Sequence, residues 1–347
     1  MEKITRIGMD TSKHIFQLHG VDASERTVLK KKLSRVQMLS FFEKQPATVI
    51  GIEACGAAHY WARTLDALGH KVLLLPPQYV KPYVKRGKND AADAEALCEA
   101  MSRPSMRFVP VKSVESQAAL MLATTRERLV RSRTQIANAI RGNAAELGLI
   151  AAQGLDKIEP LLMRIAENET LPALAREVFA ELAQDYAYVE RQLMKADAKL
   201  MAWHKGSACS RRLTAIPGIG PIGASLLVMK APDPRLFKSA RHFAAWMGLT
   251  PKDHSTAGKQ RLGVITRAGD EMLRSILVVG ATAAIQQAKR RPERASPWLR
   301  NLLARKAPKL AAVALANKNA RIAWKMMVSG ETYNANRSQS AGLADAA

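Results

Sequence analysis

Four carboxylates in the N-terminal third stand where they could do chemistry. Asp10 follows a short apolar run in RIGMDTSK, Glu53 follows another in VIGIEACG, and Asp90 and Asp93 lie three apart in GKNDAADAEAL. That spacing puts Asp90 and Asp93 on one face at the start of a helix. Strands carrying Asp10 and Glu53 to one sheet edge would set those two side by side, and a helix across the edge would add the other pair. Such a group repels itself unless cations neutralise it. Hard oxygen ligands of this kind suit Mg2+, which keeps waters and takes phosphate oxygens as further ligands. The expectation is a metal site of Asp10, Glu53, Asp90 and Asp93 holding two Mg2+ ions. A pair of ions stabilises both the attacking and the leaving oxygen in phosphodiester chemistry. Taken singly, Asp10 also reads as a turn residue, and Asp90 as an N-cap with Asp93 favourable to the helix dipole. Glu53, drawn from an apolar strand, tips the set towards a site.

The C-terminal half offers a second group. Residues 251–263 are polar, basic and Gly-containing between two apolar helical stretches, with hydroxyls at Ser255 and Thr256 among Lys252, Lys259, Arg261 and Arg267. A hydroxyl on such a loop can attack a phosphodiester while the cations offset the charge that builds up. An ordinary polar loop has the same composition. His254 beside Ser255 makes no triad, because sequence neighbours seldom point at each other correctly. Upstream, LTAIPGIGPIGASLLV reads as helix, PGIG turn, helix, with Pro221 suited to the first position of the second helix. This is the helix-hairpin-helix pattern. Backbone N–H groups around Gly218 and Gly220 would hold a nucleic-acid phosphate without reading sequence.

The elements that must position these residues follow from periodicity. Residues 4–8, 14–20 and 26–33 read as strands with a DTSK hairpin between the first two, 34–44 as a helix ended by Pro46, and 47–52 as a buried strand. A helix over 57–68, capped by Gly69, precedes another buried strand over 71–75. The order predicts an α/β domain over residues 1–112, a mixed sheet covered by helices as in ribonuclease H-like (RuvC-like) domains. Residues 113–149 read as one helix and 171–203 as a second, together an antiparallel helical or coiled-coil arm over 113–205 that suits dimerisation. Residues 206–333 read as a mostly helical domain of short helices broken by Gly and Pro, and 334–347 as a disordered tail.

Composition narrows the partners. The formal charge is +23, and residues 206–347 hold 23 of the 53 Lys and Arg but only 7 of the 30 Asp and Glu. Such an excess favours a polyanion, since neutralising phosphates releases condensed counterions. The run KRRPER (289–294) with Arg300, Arg305, Lys306 and Lys309 fits phosphate contacts. No lipidation motif is present, and the longest apolar stretch, 276–285, is too short to span a bilayer. The charged start MEKITRIGMD lacks a signal peptide's apolar region, which predicts a cytoplasmic, nucleoid-associated protein. Cys55, Cys98 and Cys209 form no CxxC pair and read as small buried residues in a reducing compartment. An Asp-Thr-Ser turn after a first strand also fits the phosphate loop of actin-like ATPases and sugar kinases, but no Gly-rich adenosine motif follows.

In order, GMDTSK, GIEACG, NDAADA, PGIGPIGA, GLTP and HSTAGKQRLG-ITRAGD resemble the DEDD transposases of bacterial insertion sequences, the family of Piv-type invertases and bridge-RNA-guided recombinases. The resemblance spans nearly the whole chain. It implies a RuvC-like domain, a coiled coil and a transposase domain, with the four acids at Asp10, Glu53, Asp90 and Asp93. It also implies a serine nucleophile that links covalently to DNA, a structured guide RNA that selects donor and target DNA, and a dimer or tetramer. Alignment back from ITRAGD puts the nucleophile at Ser255; alignment forward from GLTP favours Thr256. Ser255 is the reading preferred here. Two other readings share the charge pattern: a Mg-dependent junction-resolving nuclease that uses water, and a non-catalytic nucleic-acid-binding protein.

Overall fold

The computed structural model describes residues 3–85, 89–256 and 258–334. They divide into two compact units, with the boundary between Gln117 and Ala118.

In the first unit, β1 (Arg6–Thr11), β2 (Ile15–Val21) and β3 (Thr27–Ser34) form an antiparallel meander. The first turn is closed by Ser12, whose Oγ accepts the Ile15 N–H at 3.0 Å. After α1 (Gln37–Phe42), β4 (Val49–Glu53) pairs parallel with β1; after α2 (Ala58–Ala67), β5 (Lys71–Leu75) pairs parallel with β4. Short α3 (Pro77–Val80) and α4 (Asp90–Ala100) complete the layers. The sheet order β3-β2-β1-β4-β5 is consistent with the RuvC-like arrangement expected. The first strand runs later than the sequence predicts, so Asp10 lies within β1 rather than beyond it.

Alternation along the strands divides the sheet into two faces. Ile7, Met9, Phe16, Leu18, Ile50 and Ile52 pack with Trp61 and Leu65 of α2 and Met38 and Phe42 of α1. Gly8, Asp10, Gly51 and Glu53 belong to the opposite face, which α4 covers. A Cβ on Gly8 would stand 2.1 Å from the Ala94 carbonyl oxygen and 2.5 Å from the Cys98 nitrogen, so glycine is what lets α4 lie directly on β1. Arg6 Nε donates to the Cys98 carbonyl at 3.0 Å and ties the same pair of elements. Of the three cysteines expected to be buried, only Cys98 is; Cys55 is exposed, having left the sheet two residues beyond the end of β4. At the sheet margins, β3 carries Lys30, Lys31 and Lys32, and β5 is covered by Val109, whose N–H donates to the Leu74 carbonyl at 2.7 Å.

The second unit holds most of α5 (Val114–Glu146), then α6 (Ile158–Ala166) and α7 (Ala173–Gly206). α5 and α7 run antiparallel: Arg133 pairs with Glu190 at 3.1 Å, and Arg126 with Asp197, each pair one heptad from the other on both helices. Leu129, Val189, Leu193 and Ala196 form the apolar seam with them. α6 is not anticipated by the sequence reading. Its apolar Ile158, Leu161 and Ile165 stand at helical spacing and fill the end of the arm against Ile140, Phe179 and Tyr186.

Beyond it come α8 (Ala208–Leu213), α9 (Pro221–Lys230), α10 (Ala240–Trp246), β6 (Pro251–Asp253), β7 (Leu262–Ile265), α11 (Glu271–Arg290), α12 (Pro297–Arg305) and α13 (Pro308–Ser329). The expectation of short helices needs correction. α11 has 20 residues and α13 has 22, and they pack together in the core through Leu277, Ala281, Leu315, Ala316 and Ala320. Gly280 does not break α11, because it is the point where the Gly218 backbone rests; a Cβ there would lie 1.9 Å from the Gly218 oxygen. The predicted tail lies outside the described residues from 335 onward. No helix among the described residues is long and apolar enough to cross a membrane.

Candidate functional site

The register of the parallel strands brings the first acids together. Met9 pairs with Ile52, which sets Asp10 and Glu53 level at the C-terminal ends of β1 and β4. Thr11 Oγ1 and Cys55 Sγ, 3.1 Å apart, join the chain just beyond. The helix supplies the other acids. Asn89, not Asp90, caps α4, accepting the Ala91 N–H at 3.0 Å through Oδ1. Asp90 is therefore free to begin the helix, and Asp93 follows within its first turn, where the positive end of the dipole favours both.

Asp10, Asp90 and Asp93 converge so that one ligand oxygen from each lies within 4.8 Å of the others. Glu53 stands beside this trio but outside the mutual cluster. Its carboxyl is nonetheless raised above the usual range by burial and by Asp93, with Lys81 opposing. Asp10 is pushed up to about 6, first by burial and then by the charges of Asp93 and Asp90. Among the described residues none of the four takes part in an ion pair, so their repulsion is only partly offset, by Lys81 near Glu53. Oxygens on one Mg2+ lie at most roughly 4.2 Å apart, given metal–oxygen distances of roughly 2.0–2.1 Å. The donor type and the mutual repulsion fit a divalent cation, which would draw the three oxygens slightly closer than 4.8 Å.

The predicted serine loop is a hairpin. β6 and β7 pair antiparallel, the His254 N–H donates to the Arg261 carbonyl at 2.9 Å, and the Lys259 N–H to that of Thr256 at 3.0 Å. Ser255 is exposed and held on two sides. Its Oγ accepts the Arg261 N–H at 3.0 Å, and its own N–H donates to Asp253 Oδ1 at 2.9 Å. Hydrogen bonds from the Ser255 side chain and backbone hold the Asp253 carboxyl below the ordinary carboxylate range. Among the described residues the Thr256 hydroxyl has no hydrogen-bond partner. Asp253 went unnoticed in the sequence, although the Asp-x-Ser spacing of an Asx turn was there to be read.

The remaining predicted residues divide between structure and surface. Lys259, Arg261 and Arg267 are exposed on or just beyond the hairpin. Arg267 adopts a φ of +56°, and its N–H reaches the Gly248 carbonyl at 3.2 Å. GLTP and RAGD meet backbone to backbone there: a Cβ on Gly269 would lie 1.7 Å from the Trp246 oxygen. Asp270 caps α11 and pairs with Lys230 at 2.7 Å. Gly218, at φ +91°, packs against Gly280, while Gly220 is exposed and begins α9. A helix, turn and helix are present at PGIG; Ile216 and Ile219 anchor the turn in the core, while Pro217 and Gly220 are exposed.

Comparison with known proteins agrees with this plan. Residues 7–147 match the DEDD transposase domain of IS110 elements, and residues 210–296 match the family described as Transposase IS116/IS110/IS902. The chain belongs to this transposase family, whose members cut and rejoin DNA. A Sinorhizobium fredii protein provisionally named transposase y4pF/y4sB is 66% identical over 96% of this chain and 86% of its own length. The transposase for insertion sequence element IS1328 of Yersinia enterocolitica is 38% identical over 96% of this chain and 100% of its own. That for IS1111A of Coxiella burnetii is 36% identical over 96% and 92%.

Proposed function

We propose that this transposase cuts and rejoins DNA through Ser255, with Mg2+ bound by Asp10, Asp90 and Asp93 and completed by Glu53. The observation that carries this reading is the paired hydrogen bonding of Ser255 by Asp253 and Arg261, which positions its hydroxyl, whereas the Thr256 hydroxyl has no partner among the described residues. The Ser255 oxygen forms a bond to phosphorus, and an ester bond to one deoxyribose breaks. The freed sugar oxygen takes a proton, and the serine proton passes towards Asp253 and solvent. Attack by another sugar hydroxyl on the phosphoserine reverses the step, so no external energy source is needed for rejoining. Two bound Mg2+ ions supply charge neutralisation for phosphate oxygens. The carboxylates orient that charge, and Lys259, Arg261 and Arg267 offset the phosphate's own.

The rest of the proposal concerns partners. Donor and target DNA and a structured guide RNA are polyanions matched to the basic C-terminal half, with Gly218 and Gly220 at a helix-hairpin-helix contact. A dimer or tetramer forms through the arm, which leaves Met121, Leu174 and Met194 exposed. We place the functional division at 1–112, 113–205 and 206–333, and the enzyme with the nucleoid in the cytoplasm.

The test is a covalent-adduct assay. The protein is co-expressed with its element's noncoding flank and incubated with labelled junction DNA and Mg2+, and DNA surviving denaturation on the protein is counted. The expected adduct disappears in Ser255→Ala, persists in Thr256→Ala, and falls without vanishing in Asp253→Ala. Cleavage with no adduct would point to a water nucleophile, and binding without cleavage to a non-catalytic binder.

A further inference from the structure

A cavity of about 690 Å3 in the second unit involves neither the carboxylates nor the serine hairpin. The end of α11, the start of α12 and the middle of α13 enclose it. Its walls carry four cations, Arg290, Arg291, Arg294 and Lys318, and no carboxylate. Among the described residues none of the four has an acidic partner. The last-turn position of Arg290 also suits the α11 dipole, but Arg294 and Lys318 stand outside that helix. Lys318 is half-buried, and burial and Arg321 hold its ammonium below the usual lysine range.

The other walls are of a different character. Trp298 lines the cavity, and Lys318 Nζ lies 4.1 Å from its ring centroid, a cation–π contact that fixes the indole. The floor is apolar, with Ala288 and Leu315. Asn319, 2% exposed, donates through Nδ2 to the Pro217 carbonyl at 2.8 Å and so locks the PGIG turn against this wall. The size falls within the roughly 300–1,000 Å3 of sites that enclose small ligands. An apolar floor with an aromatic ring suits a base, and a rim of unpaired arginines suits the phosphates on either side of it.

We propose that this cavity takes one unpaired nucleotide of a single-stranded nucleic acid, its base against Trp298 and its flanking phosphates on Arg290, Arg291 and Arg294. A base stacked within a duplex is not available to such a cavity unless it is unpaired, unstacked and swung out. The site therefore selects unpaired or readily opened strand over closed duplex. It requires neither the serine nor the metal.

The test is photocrosslinking of the full-length protein in EDTA, so that no cleavage intervenes. Oligonucleotides carrying 5-iodouracil are offered as single-stranded DNA, single-stranded RNA and closed duplex DNA, and the crosslinked peptide is mapped. The expected crosslink falls on the peptide containing Trp298, from a single strand and at least tenfold less from duplex. Arg291→Glu with Arg294→Glu, both exposed, lowers it at least tenfold; Arg176→Glu, an exposed cation on α7 outside the cavity, and Ser255→Ala leave it unchanged. The DNA and RNA arms tell which strand occupies the site, and either supports the proposal. Equal crosslinking from the duplex, crosslinks only on other peptides, or an unaffected Arg291/Arg294 variant overturns it. Displacement by micromolar thymidine monophosphate would also overturn it, in favour of a free nucleotide.

Discussion

At the scale of single residues, the decisive property is a carboxyl that resists ionisation. Asp10 has a folded-state pKa of about 6 against an ordinary 3.8, from burial and from Asp93 and Asp90. Between those values the folded chain binds more protons than the unfolded one, so the metal-free protein loses stability as pH rises through this window. Metal binding runs the other way, because the ligand must be ionised. Below pH 6, Mg2+ affinity should fall by about tenfold per pH unit, a dependence that calorimetric titration would reveal. Asp10→Asn should raise the melting temperature of the metal-free protein at pH 8 and abolish the increment that Mg2+ gives the parent. A parent protein whose Mg2+ affinity is flat between pH 5 and 7 would remove Asp10 from the ligand set.

At the scale of elements, the site depends on how closely α4 can approach β1. Gly8 and Asp10 share a face of the strand, and the contact at Gly8 sets how near Asp90 and Asp93 come to Asp10. Gly8→Ala places a methyl group 2.1 Å from backbone that cannot turn aside. It should destabilise the protein by about 1–3 kcal/mol or more and weaken Mg2+ binding as α4 is pushed outward. Gly56→Ala, with nothing within 4 Å of the new Cβ, is the control and should change neither. Thermal unfolding and metal titration of the pair decide the point; equal behaviour of the two variants would sink it. The strands with Asp10 and Glu53 were legible because apolar runs ending in an acid are unusual in local sequence, and Asp90 and Asp93 because a spacing of three puts them on one helix face. Gly8 was not, because a glycine's meaning lies in what approaches it from 86 residues away. The same holds for Gly280, which reads as a helix breaker until Gly218 is seen resting on it. Asp253 was passed over for the opposite reason, since its partner is so near that it looks like ordinary loop chemistry. α6 carried a helical pattern but was short enough to be absorbed into a linker.

At the scale of the whole molecule, charge and chemistry are divided between the halves of the chain. The clustered acids belong to the more balanced N-terminal part, while residues 206–347 carry 23 bases and 7 acids. A polyanion drawn by that basic half would meet few carboxylates there. The sheet of the first unit faces a separate problem, that of self-association. An open sheet offers unpaired backbone groups at both margins, and any second chain in extended form can add to them. Val109 blocks one margin by pairing with Leu74. The other is left to Lys30, Lys31 and Lys32, whose charges alternate above and below β3 and repel an identical strand. Replacing all three by valine should keep the strand while removing its guard, giving sheet-to-sheet aggregates visible by light scattering at low salt. A variant that stays dispersed would show that something other than charge protects this edge. For a protein whose partner is itself a polyanion, the guard has a further consequence: nucleic acid that neutralises those lysines would also lower the barrier to strand addition, so the enzyme should be least colloidally stable when the edge is charge-neutralised and no assembly covers it.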